Sequence, residues 1–174
     1  MVGPTTFRNF KVKSHGFTII ELTIVMALIG ILVGISFAFI PTALKKARNS
    51  ERASDTKTLA RFFEQRYKEQ ASVSYPSYPS TTTFPSEMNV LMNGGLKESA
   101  KAPGQTTNSV TSAVNNGDLT GVATDQGYIY QPFSSNGALC TTSSSNSPCT
   151  RFKIWYKTEA TPPEVRVVES RYQQ

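Results

Sequence analysis

"HGFTIIELTIVMALIGILVG", His15 to Gly34, decides the fold, and one residue in it stands out. Glu21 lies near the start of an apolar run that continues from Phe17 to Ile40. The run is about 24 residues, roughly 36 Å as a helix, long enough to cross a ~30 Å hydrocarbon core with some tilt. A core helix of a soluble protein rarely runs this far without a polar face, so a membrane-inserted segment is expected. A carboxylate inside a bilayer costs several kcal/mol even on lenient scales. Its position, just after Gly16 and Phe17, therefore asks for a reason.

The flanks narrow the choice. Arg8, Lys11 and Lys13 precede the run with no acid among them. A secretory signal peptide also has a basic start, and Ser36-Phe37-Ala38 imitates its small-x-small cut. The apolar run is too long for one, however, and a signal peptide gives Glu21 no task. The combination of a short basic leader ending in Gly16, then Phe17, then Glu21 as the fifth residue after the break, within an apolar helix, resembles the prepilin-type motif of type IV pilins and pseudopilins. The resemblance covers about 25 residues. It implies that a prepilin peptidase cuts between Gly16 and Phe17 on the cytoplasmic side and that the new Phe17 amine is N-methylated. Glu21 would then sit one helical turn from a cationic amine. In a filament the carboxylate of one subunit can pair with the Phe17 amine of a neighbour, so that two groups costly in lipid become an ion pair that sets axial register.

The helix should continue past the membrane. Pro41 to Gln70 is rich in helix formers, with Leu59, Phe62, Phe63 and Tyr67 on one apolar face and Glu64 four residues before Lys68. Between Arg48 and Thr58 only Ala53 is apolar, which reads as a neck with a head-packing turn after it. Pro41 removes a backbone donor and should kink or open the helix. The Gly30-to-Pro41 segment resembles the stretch that loses helicity in some pilus filaments, and Gly30 with Gly34 forms a GxxxG pattern that permits close helix approach. One feature conflicts: Lys45, Lys46, Arg48, Arg52 and Lys57 follow the span and outnumber the leader's three cations, against the positive-inside rule. Peptidase access nevertheless places the amino end in the cytoplasm.

From Ala71 the composition turns to Ser, Thr, Pro, Tyr and Asn. Ser86 could cap a short helical turn that Gly94-Gly95 ends. Asn115, Asn116 and Asp118 lack a full calcium-loop pattern and read as a turn. Three strands are expected: Tyr128 to Phe133; the alternating "RFKIWYK" with Phe152, Ile154 and Tyr156 inward; and "EVRVVES" with Val165 and Val167 inward. Cys140 and Cys149 frame the polar loop "TTSSSNSP" between the first two. A disulfide there fits an extracytoplasmic head; free thiols or a metal are the alternatives, and two cysteines make a poor zinc site.

The expected fold is therefore α+β. Residues 1–16 form a leader and 17–70 a long helix, of which 17–40 spans the membrane and 41–70 is neck and head-packing. Residues 71–174 form a small head with a carboxyl-terminal antiparallel sheet laid on the helix. The only histidine, His15, lies in the leader, so no Ser-His-Asp or Cys-His mechanism is available, nor is there a phosphate-cradling loop. No enzyme activity, cofactor or metal is expected. The net charge of +6 falls by half if the leader leaves, a weak basis for nucleic-acid binding, which stays open but is not indicated. The resemblance implies a structural subunit of a type IV pilus or pilus-like filament, first a single-pass inner-membrane protein, then part of a surface filament. Its partners would be other pilin subunits, the prepilin peptidase/methyltransferase, a membrane assembly platform and, before assembly, the bilayer. A pseudopilin of a type II secretion or DNA-uptake machine shares the motif. From a different class, a secreted binding protein with a long signal sequence cut near Ala38 remains as an alternative.

Overall fold

The computed structural model describes residues 16–73, 75–117 and 127–171. The leader cations, His15 and Asp118 lie outside these residues. The chain divides into two compact units, Met1–Thr42 and Ala43–Gln174. One helix, α1 (Ile19–Val73, 55 residues), belongs to both and runs through Pro41 without a break in assignment. In the first unit every described side chain is exposed, and α1 is there long and apolar enough to cross a membrane.

The second unit is built on the other half of α1. Arg52, Thr56, Leu59, Ala60, Phe63, Glu64 and Tyr67 are its buried residues, spaced as one face of a helix. The apolar part is the stripe expected from sequence, with Phe62 partly buried at its edge. The polar part lies where the sequence reads as a neck. Arg52 is 2 % exposed and Thr56 fully buried, so the head already covers α1 there. The reason is chemical pairing: Arg52 Nη1 lies 2.8 Å from Glu159 Oε1, the Glu159 backbone N–H donates to Asn49 Oδ1 at 2.8 Å, and Thr56 Oγ1 donates to the Arg52 carbonyl at 2.8 Å. Glu64 accepts the Arg171 backbone N–H at 2.8 Å.

Helix α2 (Phe84–Asn93) lies after the Tyr/Pro loop. It starts at Phe84 with Thr83 before it, not at Ser86, and has proline in its first turn, where the missing N–H is harmless. It ends at Gly94, as expected, where the backbone N–H donates to the Val90 carbonyl at 2.8 Å; a Cβ there would meet that oxygen at 2.9 Å. A short 3₁₀ turn, Glu98–Ala100, follows.

The sheet has four strands in the order β1 (Val110–Ser112), β2 (Tyr128–Ser134), β3 (Cys149–Lys157), β4 (Val165–Glu169). β2 to β4 are the antiparallel strands expected. β1 is an addition and pairs parallel with β2, Val110 opposite Tyr128, so the sheet is mixed. Three residues are too few to show an alternation, which is why β1 was not legible. β3 alternates as read, with Phe152, Ile154 and Tyr156 buried. β4 does not: its register sets Val168 opposite Ile154, so Val168 faces the core while Val167 is 40 % exposed. Val165 packs instead in a small second cluster with Ala113, Ile129, Leu139 and Trp155.

Aromatic rings join helix to sheet. Phe63 lies 4.5 Å from Tyr130 and 5.8 Å from Phe152, Tyr130 stacks on Phe84 at 4.9 Å, and Tyr67 stacks on Tyr78 at 4.5 Å. Such contacts add about 0.5–1.5 kcal/mol each beyond area burial. Cys140 and Cys149 form a disulfide with Cα atoms 5.7 Å apart. The bond ties the β2–β3 connection to the start of β3. The Cys149 carbonyl also accepts the Tyr78 N–H at 2.8 Å, which anchors the loop before α2. In the chain-entropy view a loop this short contributes about 2–3 kcal/mol.

Candidate assembly site

The amino-terminal segment gathers three of the residues singled out in the sequence. Gly16 and Phe17 lie just ahead of α1, and Phe17 is 87 % exposed. Thr18 precedes the first helical residue and Glu21 occupies the first turn. The two close a reciprocal pair. The Thr18 backbone N–H and hydroxyl both donate to Glu21 Oε2 at 2.9 Å, and the Glu21 N–H donates to Thr18 Oγ1 at 3.3 Å. This is a capping box, which satisfies backbone donors that a helix start leaves open. Thr18-x-x-Glu21 is the sequence pattern of such a box, a local signal separate from the spacing of Glu21 to Phe17. Both bonds that the carboxylate accepts fall on Oε2; among the described residues Oε1 accepts none.

Beyond this start, Ile19 to Ile40 present an apolar band all round the helix, with Ile19 84 % and Phe37 75 % exposed. The hydroxyls in the band are satisfied locally: Thr23 donates to the Ile20 carbonyl at 3.0 Å and Ser36 to that of Leu32 at 2.8 Å. Gly30 and Gly34 have open space where a Cβ would stand. They and Pro41 lie within continuous helix, whereas Cys140 and Cys149 belong to the head.

The head carries charge chemistry of a structural kind. Burial pushes the Asp55 carboxyl above the ordinary carboxylate range, partly opposed by the Tyr128 hydroxyl that donates to it at 3.0 Å. Burial, then the Asp55 charge, raises Tyr128 in turn. Burial, then Tyr78 and Glu87, raises Tyr130, whose hydroxyl donates to the Pro79 carbonyl at 2.9 Å. Arg66 forks onto Glu87 at 2.8 and 3.2 Å and reaches Glu69 at 2.8 Å, ties that hold it firmly charged. Among the described residues no cluster of three or more metal-ligating side chains occurs.

An apolar helix with this start, carrying a small α+β head on its far half, defines a pilin-like layout. Residues 11–37 match the model of the prokaryotic N-terminal methylation motif, the signature of type IV pilins and prepilins. Neither the curated proteins nor the solved structures gave a match. The motif supports a type IV pilin-like or pseudopilin subunit, a structural rather than catalytic part. It implies processing by a prepilin peptidase and assembly with other pilin subunits, and it fits a membrane anchor.

Proposed function

We propose that the chain is a structural subunit of a type IV pilus or closely related filament, cut between Gly16 and Phe17, methylated at Phe17, and assembled through the first half of α1. The observation that carries this reading is the first turn. Glu21 follows Gly16-Phe17 at the motif's spacing, and its carboxylate caps its own helix with one oxygen while the other is open. A charged, partly unsatisfied carboxylate in a lipid-facing helix is unfavourable in a lone subunit. A neighbour's Phe17 amine removes that cost and fixes register along the filament. The fully exposed apolar band supports the same reading, because it needs lipid before assembly and other helices afterwards. In this reading the amino end lies in the cytoplasm and the head outside it, where a disulfide persists. Gly30, Gly34 and Pro41 form the segment whose helix gives way on packing: two residues of low helix propensity and one without a donor.

Electron microscopy of cells with and without the gene tests this. Surface filaments that need the gene support the pilus reading. Membrane-confined assemblies with the same processed terminus transfer the chain to a secretion or uptake machine. A soluble product starting near Phe39 overturns both.

A further inference from the structure

The outer face of the sheet holds charged residues that neither the core nor the assembly site uses, set around Trp155, one side of which packs in the small second cluster. β3 turns Phe152, Ile154 and Tyr156 inward, so Arg151, Lys153, Trp155 and Lys157 share the opposite face. Register sets Phe133 beside Arg151, Gln131 and Glu169 on either side of Lys153, and Val167 beside Trp155. Part of this face is an open cleft of about 590 Å³, lined by Arg151, Lys153, Trp155, Glu169, Asn116 and Gly137 among others. That volume is in the range of small-molecule sites, roughly 300–1,000 Å³.

Three features define what the cleft would hold. The first is a planar cation that no described acid neutralises. Arg151 is half-buried, and its guanidinium makes no ion pair or side-chain hydrogen bond among the described residues, while Lys153 beside it is matched by Glu169 at 2.9 Å. A guanidinium's fork complements a carboxylate in two parallel bonds. The second is a fixed aromatic wall. Trp155 Nε1 donates to Gln131 Oε1 at 2.8 Å. Gln131 is 1 % exposed, and its amide donates to the carbonyls of Asn115 and Gly117 at 3.1 and 3.0 Å. The indole is thus set before any ligand arrives, which lowers the ordering cost of binding. The third is a mixture of donors and acceptors: Arg151 and Lys153 donate, Glu169 accepts and Asn116 does either. A phosphodiester backbone brings acceptors only and offers Glu169 no donor. A polyhydroxylated ring brings both and lays its apolar C–H face on an indole.

We propose that this cleft binds an acidic saccharide, its carboxylate on Arg151 and its ring against Trp155. The site does not depend on how the chain assembles. Its probe is built in, since Trp155 is the only tryptophan. The full-length chain in detergent micelles is titrated with digalacturonate at physiological salt, and Trp155 fluorescence is followed. A saturable change is expected, at least tenfold weaker for the dimethyl ester of the same disaccharide and at least tenfold weaker for Arg151→Gln. Lys57→Gln, which removes an exposed charge of α1 far from the lining residues, should bind as wild type. If Arg151→Gln unfolds the head, the acid-against-ester comparison on the wild-type chain decides alone. No saturable change with digalacturonate overturns the proposal. So does an equal response to acetate, which would make the cleft a bare anion site, and so does tighter binding of a thymidine oligonucleotide.

Discussion

At the scale of single residues, the cap and the proposed pairing of Glu21 can be separated. Its Oε2 completes the cap with Thr18, and among the described residues its Oε1 accepts no hydrogen bond. Thr18→Val keeps the β-branched shape and removes the hydroxyl, so the first turn should lose about 1 kcal/mol, the usual worth of a cap. Filament yield should fall modestly. Glu21→Ala removes the pairing charge as well. It should insert in the membrane at least as well as wild type, remain cut after Gly16, and leave little or no filament. Glu21→Gln can still accept from Thr18 but cannot neutralise an amine, so it should resemble Glu21→Ala. The measurement is sheared surface filament relative to membrane-held subunit. If Thr18→Val loses as much filament as Glu21→Ala while Glu21→Gln assembles normally, Glu21 is a cap and nothing more. Of this site the sequence alone showed the spacing of Gly16, Phe17 and Glu21. It also contained Thr18-x-x-Glu21, a local pattern whose chemistry is as legible as the membrane argument.

At the scale of elements, the head-packing half of α1 joins two kinds of contact. Leu59, Phe63 and Tyr67 were legible because apolar residues repeat with the helix period. Arg52, Thr56 and Glu64 extend the same face and were not, because a polar residue at a buried position is told from a solvated one only by its partner, and Glu159 lies 107 positions from Arg52 in the chain. The same limit hid β1, whose three residues take their place from β2. Glu159→Ala tests the buried contact. It leaves Arg52, 3 % exposed, without its carboxylate, and breaking such a pair costs about 3–5 kcal/mol. Arg48 reaches the same Glu159 at 3.2 Å from a side chain 45 % exposed, so Arg48→Ala should cost less than about 1 kcal/mol. Urea unfolding of the full-length chain, followed by far-UV circular dichroism, distinguishes them; equal small effects would mean that Arg52 is held by packing alone. The buried tyrosines set a second test. Tyr128 and Tyr130 have folded-state pKa values raised above the ordinary value near 10, chiefly by burial. The unfolded chain therefore releases these protons first. The stability they contribute is complete below about pH 10 and is lost as pH rises toward the folded-state values. The head should unfold in alkali with tyrosinate absorbance appearing in step with the loss of helix. Tyr128→Phe should make that alkaline decline shallower. An alkaline decline of unchanged steepness in Tyr128→Phe would contradict the burial.

At the scale of the whole chain, an exposed apolar helix and a compact head share one backbone, and in the proposed function processing decides which surroundings the helix meets. The excess of cations after the span argues against the expected orientation; in the folded head two of them, Arg48 and Arg52, share Glu159. Removal of the leader takes Arg8, Lys11 and Lys13 away and creates a new cation at Phe17, within a turn of the Glu21 carboxylate. The break must fall at Gly16-Phe17 for this to work. A cut near Ala38 would discard the apolar band and Glu21 together and release a soluble head. Mass spectrometry of chain from the membrane of a strain with an active peptidase should therefore find Phe17 as the dominant amino terminus, one methyl group heavier than the unmodified residue. Gly16→Val places a branched side chain at the break and should leave the intact precursor in the membrane, with the head folded and no filament. A terminus at Phe39, or intact Met1 from wild-type chain under the same conditions, would remove the amine that Glu21 is proposed to meet, and the assembly mechanism would fall with it.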